Sequence, residues 1–68
     1  MTVNVWINGE RRELAPEADV ADALAAIGAP RAGVAVAVDG EVVPRASWHS
    51  RRLADGARVE VLTAVQGG

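Results

Sequence analysis

Residues 34–44 read VAVAVDGEVVP, and this stretch decides the fold. Valine and alanine alternate over Val34–Val38, which predicts a strand with large side chains on one face and small ones on the other. Asp39-Gly40 is typical of a two-residue hairpin turn, and Glu41–Val43 is a short returning strand. Pro44 ends that strand because proline has no N–H to donate to a sheet. The stretch therefore predicts a β-hairpin.

A second hairpin and a helix are predicted upstream. Residues 2–7 alternate in polarity, Asn8-Gly9 favours a hairpin turn, and residues 10–14 return as a charged edge strand. The helix is expected to begin near Asp19, whose carboxylate can accept from free N–H groups, and to close at Gly28 in a left-handed cap. Its apolar stripe consists of Val20, Leu24 and Ile27. The helical alanines are expected to supply helix propensity.

The downstream segment predicts a loop and a last strand. Residues 45–53 are irregular, with Trp48 and Leu53 as expected anchors, and Asp55-Gly56 precedes a strand over residues 58–63. A hairpin, a helix, a strand pair, a loop and a strand form a two-layer α+β domain. We expect a β-grasp fold, in which a small mixed sheet of four to five strands packs on one helix. The last strand should lie in the middle of the sheet, parallel to the first.

Composition excludes several function classes for this sequence of 68 residues. Without cysteine there is no thiolate metal site and no cysteine nucleophile, and no metal site is predicted. A formal charge of −2 argues against binding of nucleic acid, which favours a basic face. No long apolar run indicates a signal peptide or a membrane span, so no membrane partner is expected and the cytoplasm is the default location.

The sequence ends in Val65-Gln66-Gly67-Gly68, one residue after the predicted last strand. Two glycines form a thin backbone with wide conformational freedom. We expect a β-grasp domain over residues 1–64 and a flexible Gly-Gly tail over residues 65–68. Such a tail can enter a narrow channel and present the Gly68 carboxylate to another protein. The alternative is a frayed end or cloning remnant without function.

Several motifs resemble the ubiquitin-like sulfur carriers. Residues 36–45 read VAVDGEVVPR and precede Trp48, similar to the VAV strand, NG or DG turn, VVPR run and tryptophan of that group. Residues 53–61, LADGARVEV, resemble the L-x-DGD-x-VEV entry to the last strand, and INGE at residues 7–10 resembles the first turn. Over essentially its whole length the chain looks closest to the thiamine-biosynthesis branch, the ThiS family.

The resemblance implies a chemistry for Gly68. In the family, an adenylyltransferase that resembles ubiquitin activators (ThiF-like) uses ATP to adenylate the terminal glycine. A sulfur donor protein supplies sulfur to give a thiocarboxylate, and thiazole synthase (ThiG-like) receives that sulfur. The chain is then a co-substrate and not an enzyme. It binds no cofactor and has no catalytic residues of its own, and its activating partner consumes the ATP.

A partner-binding surface is expected on the sheet face away from the helix. If Val5 and Val59 face the helix, Trp6 and Leu62 lie on the opposite face as adjacent exposed apolar residues, which mark partner sites. Ala35 and Ala37 would share that face and allow close approach. The alternative is that Trp6 is an ordinary surface aromatic.

Other interpretations remain open. The related carrier of molybdopterin synthesis (MoaD-like) shares the fold and the Gly-Gly end, but it is usually longer and carries phenylalanine, which this chain lacks. A non-carrier β-grasp binding module is another class. His49 between Ser47 and Ser50 does not predict acyl-transfer catalysis, which needs an oriented base and an oxyanion site. Arg51-Arg52 predicts solvated surface charge or pairing with an acidic partner.

Overall fold

A computed structural model describes residues 1–30 and 32–63 of the chain. These residues form five strands, one α-helix and one 3-10 turn. The strands are β1 (Val3–Ile7), β2 (Glu10–Leu14), β3 (Val34–Val38), β4 (Glu41–Val43) and β5 (Arg58–Thr63). Helix α1 (Val20–Ala26) connects β2 to β3, and the 3-10 turn Arg45–Ser47 follows β4. The predicted elements are thus present in the predicted order.

The strands form one mixed sheet in the order β2-β1-β5-β3-β4. β1 and β5 run parallel, whereas the pairs β1–β2, β3–β4 and β3–β5 are antiparallel. The charged strand β2 lies at one edge, as expected from its composition. The last strand of the sequence is central and parallel to the first, which confirms the predicted β-grasp fold.

Both hairpin turns use an X-Gly dipeptide in left-handed conformation. Asn8 and Gly9 have φ angles of 53° and 83°, and Asp39 and Gly40 have φ angles of 51° and 83°. Positive φ at both central residues gives a turn whose twist matches that of the flanking strands. The two dipeptides therefore set the register of the two hairpins.

Helix α1 begins and ends at the residues that the sequence indicates. Asp19 and Asp22 form a reciprocal capping box, in which each carboxylate accepts from the other residue's backbone N–H at 2.9 Å. Gly28, with φ of 68°, follows the C-cap residue, and its N–H donates to the carbonyl of Ala25. These caps satisfy backbone groups that a helix this short leaves open at both ends.

The core lies between one sheet face and α1. Its buried members are Val5, Ile7, Val20, Ala23, Leu24, Val36, Val38, Val43, Trp48, Leu53, Ala57, Val59 and Val61. The expectation that the helical alanines serve propensity is incomplete, because Ala23 is fully buried. A small side chain at that position lets the helix approach the sheet closely.

The loop before β5 is anchored by the two residues that the sequence indicates. Trp48 is 7% exposed and its indole N–H donates to the carbonyl of Val43 at 3.0 Å. Leu53 is 3% exposed and its backbone N–H donates to the carbonyl of Ala18 at 2.9 Å. Both anchors tie the loop to the core that fixes β5.

No helix within residues 1–30 and 32–63 is long and apolar enough to span a membrane. The same part of the chain holds no group of three His, Cys, Asp or Glu side chains placed to bind a metal ion.

Candidate functional site

The site is built around the second half of β5, which leads directly to the Gly-Gly segment of the sequence. On one side, β3 pairs with β5 from Val59 as far as Thr63. On the other side, β1 pairs with β5 only at Arg58 and Val59, opposite Trp6 and Ile7. Beyond Val59, the β1 side of β5 therefore lacks a strand neighbour among the described residues.

Asn8 occupies the place where β1 stops. Its backbone N–H donates to the carbonyl of Val59 at 2.8 Å. Its side-chain oxygen accepts from the N–H of Val61 at 2.8 Å, and its side-chain nitrogen donates to the carbonyl of Val61 at 3.2 Å. The amide thus takes the role of the next strand residue. The sequence predicts the turn at Asn8 but not this contact, because 53 positions separate the partners.

The sheet face away from α1 carries an apolar cluster near the end of β5. We call it the outer apolar patch, and it consists of Ala35, Ala37, Val42 and Leu62. Leu62 lies directly opposite Ala35, and Ala37 lies directly opposite Val42. Leu62 is 70% exposed and Val42 is 73% exposed. Three of the four members were predicted from the sequence as partner-binding residues.

Val42 is the member that sequence reasoning missed. The signal is present, because Val42-Val43 are consecutive in a strand and consecutive side chains point to opposite faces. Val43 is buried, so Val42 must point outward. The register with Ala37 then places it in the outer apolar patch.

Trp6 lies on the same face but apart from the patch, so the expectation that Trp6 and Leu62 are adjacent is wrong. Trp6 is opposite Arg58 on β5 and Arg11 on β2. Leu62 is four residues beyond Arg58, a distance of about 13 Å along a strand. Trp6 is 38% exposed and lines a separate depression with Arg58 and Glu60. The face therefore has an apolar end and an end that combines Trp6 with charge.

A shallow groove of about 370 Å³ borders the outer apolar patch at the end of β5. It is lined by Gly33, Val34, Ala35, Leu62 and Thr63. The groove, the patch and the last described residue of β5 thus lie together.

Among the described residues, the polar side chains of the loop form no catalytic arrangement. The hydroxyl of Ser50 donates to the backbone carbonyl of Ser47 at 3.1 Å, and within residues 1–30 and 32–63 no hydrogen bond joins His49 to either serine. Arg51 pairs with Glu41 at 3.0 Å across an exposed surface, and such pairs contribute little to stability. The exposed Arg52 makes no ion pair with any described residue.

The expected tail, residues 65–68 with Gly68 as the modified residue, lies outside the described residues.

Comparison with known proteins decides the family. The family model described as "ThiS family" matches residues 5–68. The chain belongs to the ThiS family. The match includes Gly67 and Gly68 as well as the core strands, so it extends through the segment that the sequence indicates for modification.

Two solved structures resemble this ThiS-family chain. One is the crystal structure of the thiamine biosynthesis protein ThiS from Geobacter metallireducens, with a TM-score of 0.79, 30% identity, and coverage of 97% of this chain and 100% of that one. The other is a solution structure of a thiamine biosynthesis protein from Geobacter metallireducens, with a TM-score of 0.77, 30% identity, and coverage of 97% and 88%. No curated protein sequence matches significantly. Membership supports a sulfur-carrier role with sulfur-transfer partners.

Proposed function

We propose that this ThiS-family protein carries sulfur for thiazole formation in thiamine biosynthesis, as a thiocarboxylate on Gly68. A ThiF-like adenylyltransferase joins the Gly68 carboxylate to the AMP part of ATP and releases pyrophosphate. Sulfur delivered by a donor protein at the oxidation level of sulfide then displaces AMP, and the thiocarboxylate transfers its sulfur to a carbohydrate-derived intermediate on a ThiG-like thiazole synthase. The chain is the co-substrate of these cytoplasmic partners, and the catalytic groups belong to them.

The chemistry explains why each step needs the one before. A carboxylate is a poor electrophile until one of its oxygens becomes part of a leaving group, and AMP is that group. A thiocarboxylate sulfur is a good nucleophile at neutral pH. Gly67 has no side chain to obstruct a narrow channel, and Gly68 has none to crowd attack at its carbonyl.

The observation that supports the proposal most is the family match that runs through Gly68. The fold adds a physical argument, because β5 is central and its register is fixed by five pairs with β3. A central strand with a fixed register gives the following segment a fixed starting position relative to a bound partner. The related Geobacter metallireducens protein is a thiamine biosynthesis protein, which favours the thiamine route.

The outer apolar patch is the proposed docking surface for the activating partner. Leu62 and Val42 are large, exposed and next to Ala35 and Ala37, so a partner can approach the backbone closely and bury apolar area. Its position at the end of β5 supports the docking of a partner that modifies the following segment. Trp6 contributes from the other end of the same face.

Intact-mass measurement tests the proposal. The chain is incubated with a ThiF-like adenylyltransferase, ATP and inorganic sulfide, and then added to a ThiG-like synthase that is supplied with its carbohydrate-derived sulfur acceptor. A carrier gains the mass difference between one sulfur and one oxygen, and it loses that difference again on the synthase.

The matched control lacks only Gly68. Since the described core lies within residues 5–61, this variant should show the same thermal unfolding as the full chain and gain no sulfur. An unchanged mass of the full chain with a competent activating enzyme would falsify the carrier function and leave a binding module. Gain of sulfur without transfer to the synthase would exclude the thiamine route.

A further inference from the structure

We propose that Asn8 is a positioning residue for the carboxyl end of this carrier. It holds the end of β5 in the sheet, so that the activating partner receives residues 64–68 from a fixed origin. This inference rests on the proposed function and adds to it a residue on a hairpin turn, far from Gly68 in sequence.

Asn8 fills a gap on the β1 side of β5. β1 ends at Ile7, opposite Val59, whereas β5 continues to Thr63. Val61 points its backbone groups to the same side as Val59, because residues two apart in a strand share one edge. No strand residue is available there to pair with Val61 within the described chain.

The side chain of Asn8 takes the place of a strand residue beside Val61. A primary amide offers an N–H donor and a C=O acceptor, the same groups that a peptide unit offers. Asn8 uses both on one residue, with distances of 2.8 Å to the N–H and 3.2 Å to the carbonyl of Val61. The ladder of β1 and β5 therefore extends by one residue without any additional strand.

The turn conformation of Asn8 allows its side chain to reach Val61. Asn8 has a φ angle of 53°, and its own N–H donates to the carbonyl of Val59. Asparagine tolerates this left-handed region better than most residues. One residue thereby turns the chain away from β5 and still bonds to two alternate residues of it, Val59 and Val61.

The other X-Gly turn provides an internal comparison. Asp39 has a φ angle of 51°, its N–H donates to the carbonyl of Arg58 at 2.8 Å, and its carboxylate accepts from the N–H of Arg58 at 3.0 Å. It therefore fixes the first residue of β5, on the β3 side. The two turns bond to the same strand, Asp39 at its first residue and Asn8 at Val61, which is nearer to the Gly-Gly segment.

Asn8 bonds to the half of β5 that precedes the Gly-Gly segment, so loss of its amide is expected to weaken partner binding. Without the Asn8 amide, the backbone groups of Val61 must pair with water, and this end of β5 opens more often. A partner that binds the following segment must then order it, and this ordering weakens binding. Loss of the Asp39 carboxylate frees only the opposite end, so it should leave binding unchanged.

The experiment compares Asn8→Gly with Asp39→Gly in the full chain. Glycine keeps the positive φ, so each variant preserves its turn and loses the side-chain bonds to β5. The isolated chains are measured for thermal unfolding and for hydrogen exchange at the Val61 amide. The kcat and KM of activation are then measured by pyrophosphate release with a ThiF-like enzyme and ATP.

We expect exchange at Val61 to accelerate in Asn8→Gly only, and KM for the chain to rise about tenfold with kcat changed less than twofold. Asp39→Gly should keep KM within about twofold of the wild-type value, although its melting temperature also falls. A merely structural role of Asn8 would lower the melting temperature and leave KM unchanged.

A second variant covers the case in which Asn8→Gly does not fold. Asn8→Asp keeps the acceptor for the Val61 N–H and loses the donor, so KM should rise about threefold. A wild-type KM in a folded Asn8 variant, or unchanged exchange at Val61, overturns the inference. If the wild-type chain itself is not activated, the proposed function fails instead, and the exchange result still reports on Asn8.

Discussion

The two faces of the sheet are formed by the same strands but differ in the solvent exposure of their side chains. On the inner face, Val5 is fully buried and Val59 is 1% exposed beneath α1. On the outer face, Leu62 and Val42 are 70% and 73% exposed. Apolar burial stabilises a fold, whereas clustered apolar side chains left in water mark a surface for a partner. The inner face therefore maintains the domain, and the outer face is the one proposed for docking.

The contrast is sharpest within β5. Val61 is 7% exposed and its neighbour Leu62 is 70% exposed, although both are aliphatic. The pleat of the strand sends consecutive side chains to opposite faces, so one residue enters the core and the next enters the outer apolar patch. Substitutions along this strand can separate stability from binding.

The largest expected effect is on the inner face. Val59→Ala removes two buried methyl groups and should lower the free energy of unfolding by about 2 kcal/mol. Leu62→Ala is the matched control on the other face, with an expected change below about 0.5 kcal/mol. Urea denaturation of both variants measures the difference. Equal losses of unfolding free energy would show that the outer face contributes to stability as much as the inner face does.

The next effect is on binding at the outer face. Leu62→Asp places a charge in the outer apolar patch and should raise KM for activation about tenfold, since a carboxylate is costly to bury in an interface. The free energy of unfolding should stay within about 0.5 kcal/mol of the wild-type value. Pyrophosphate release by the activating enzyme measures KM.

Ala46→Asp is the control for that variant, because it adds the same charge at an exposed residue of the 3-10 turn. Its KM should equal that of the wild-type chain. Equal increases in KM for the two variants would assign the effect to net charge rather than to the patch.

The smallest effect is expected at Trp6, which lies on the outer face between Arg11 and Arg58. Trp6→Ala should raise KM about fivefold and lower the free energy of unfolding by about 0.5 kcal/mol, the scale of a cross-strand pair. Denaturation and activation assays on the same preparation measure the change in the free energy of unfolding and the change in KM. Unfolding of the domain by this substitution would place Trp6 in the core and break the contrast between the faces.

Local signals account for most of what could be predicted. Asn8-Gly9 and Asp39-Gly40 have the turn chemistry that their positive φ angles require, and Asp19 is an N-cap in the structure. Alternation also assigns Leu62 and Ala35 to the outer face. Each of these depends on neighbours in sequence, which a single chain displays directly.

The remainder of the site depends on contacts between distant residues. The bonds of Asn8 to Val61, the pairing of Val42 beside Ala37 and the separation of Trp6 from Leu62 all follow from strand register. Register is fixed by the whole sheet and the core beneath it. The sequence pattern on one strand therefore does not show which residue lies opposite on another.

The sequence by itself determined the β-grasp order, the hairpin turns, the helix caps and, through its motifs, membership of the ThiS family. These features depend on short-range periodicity, on backbone preferences and on residues read in order. Only the tertiary structure decided which outer residues lie together and that Asn8 completes the sheet beside β5. Those facts require two strands to be brought side by side, because hydrogen bonds and apolar contacts act over a few ångströms in space rather than along the chain.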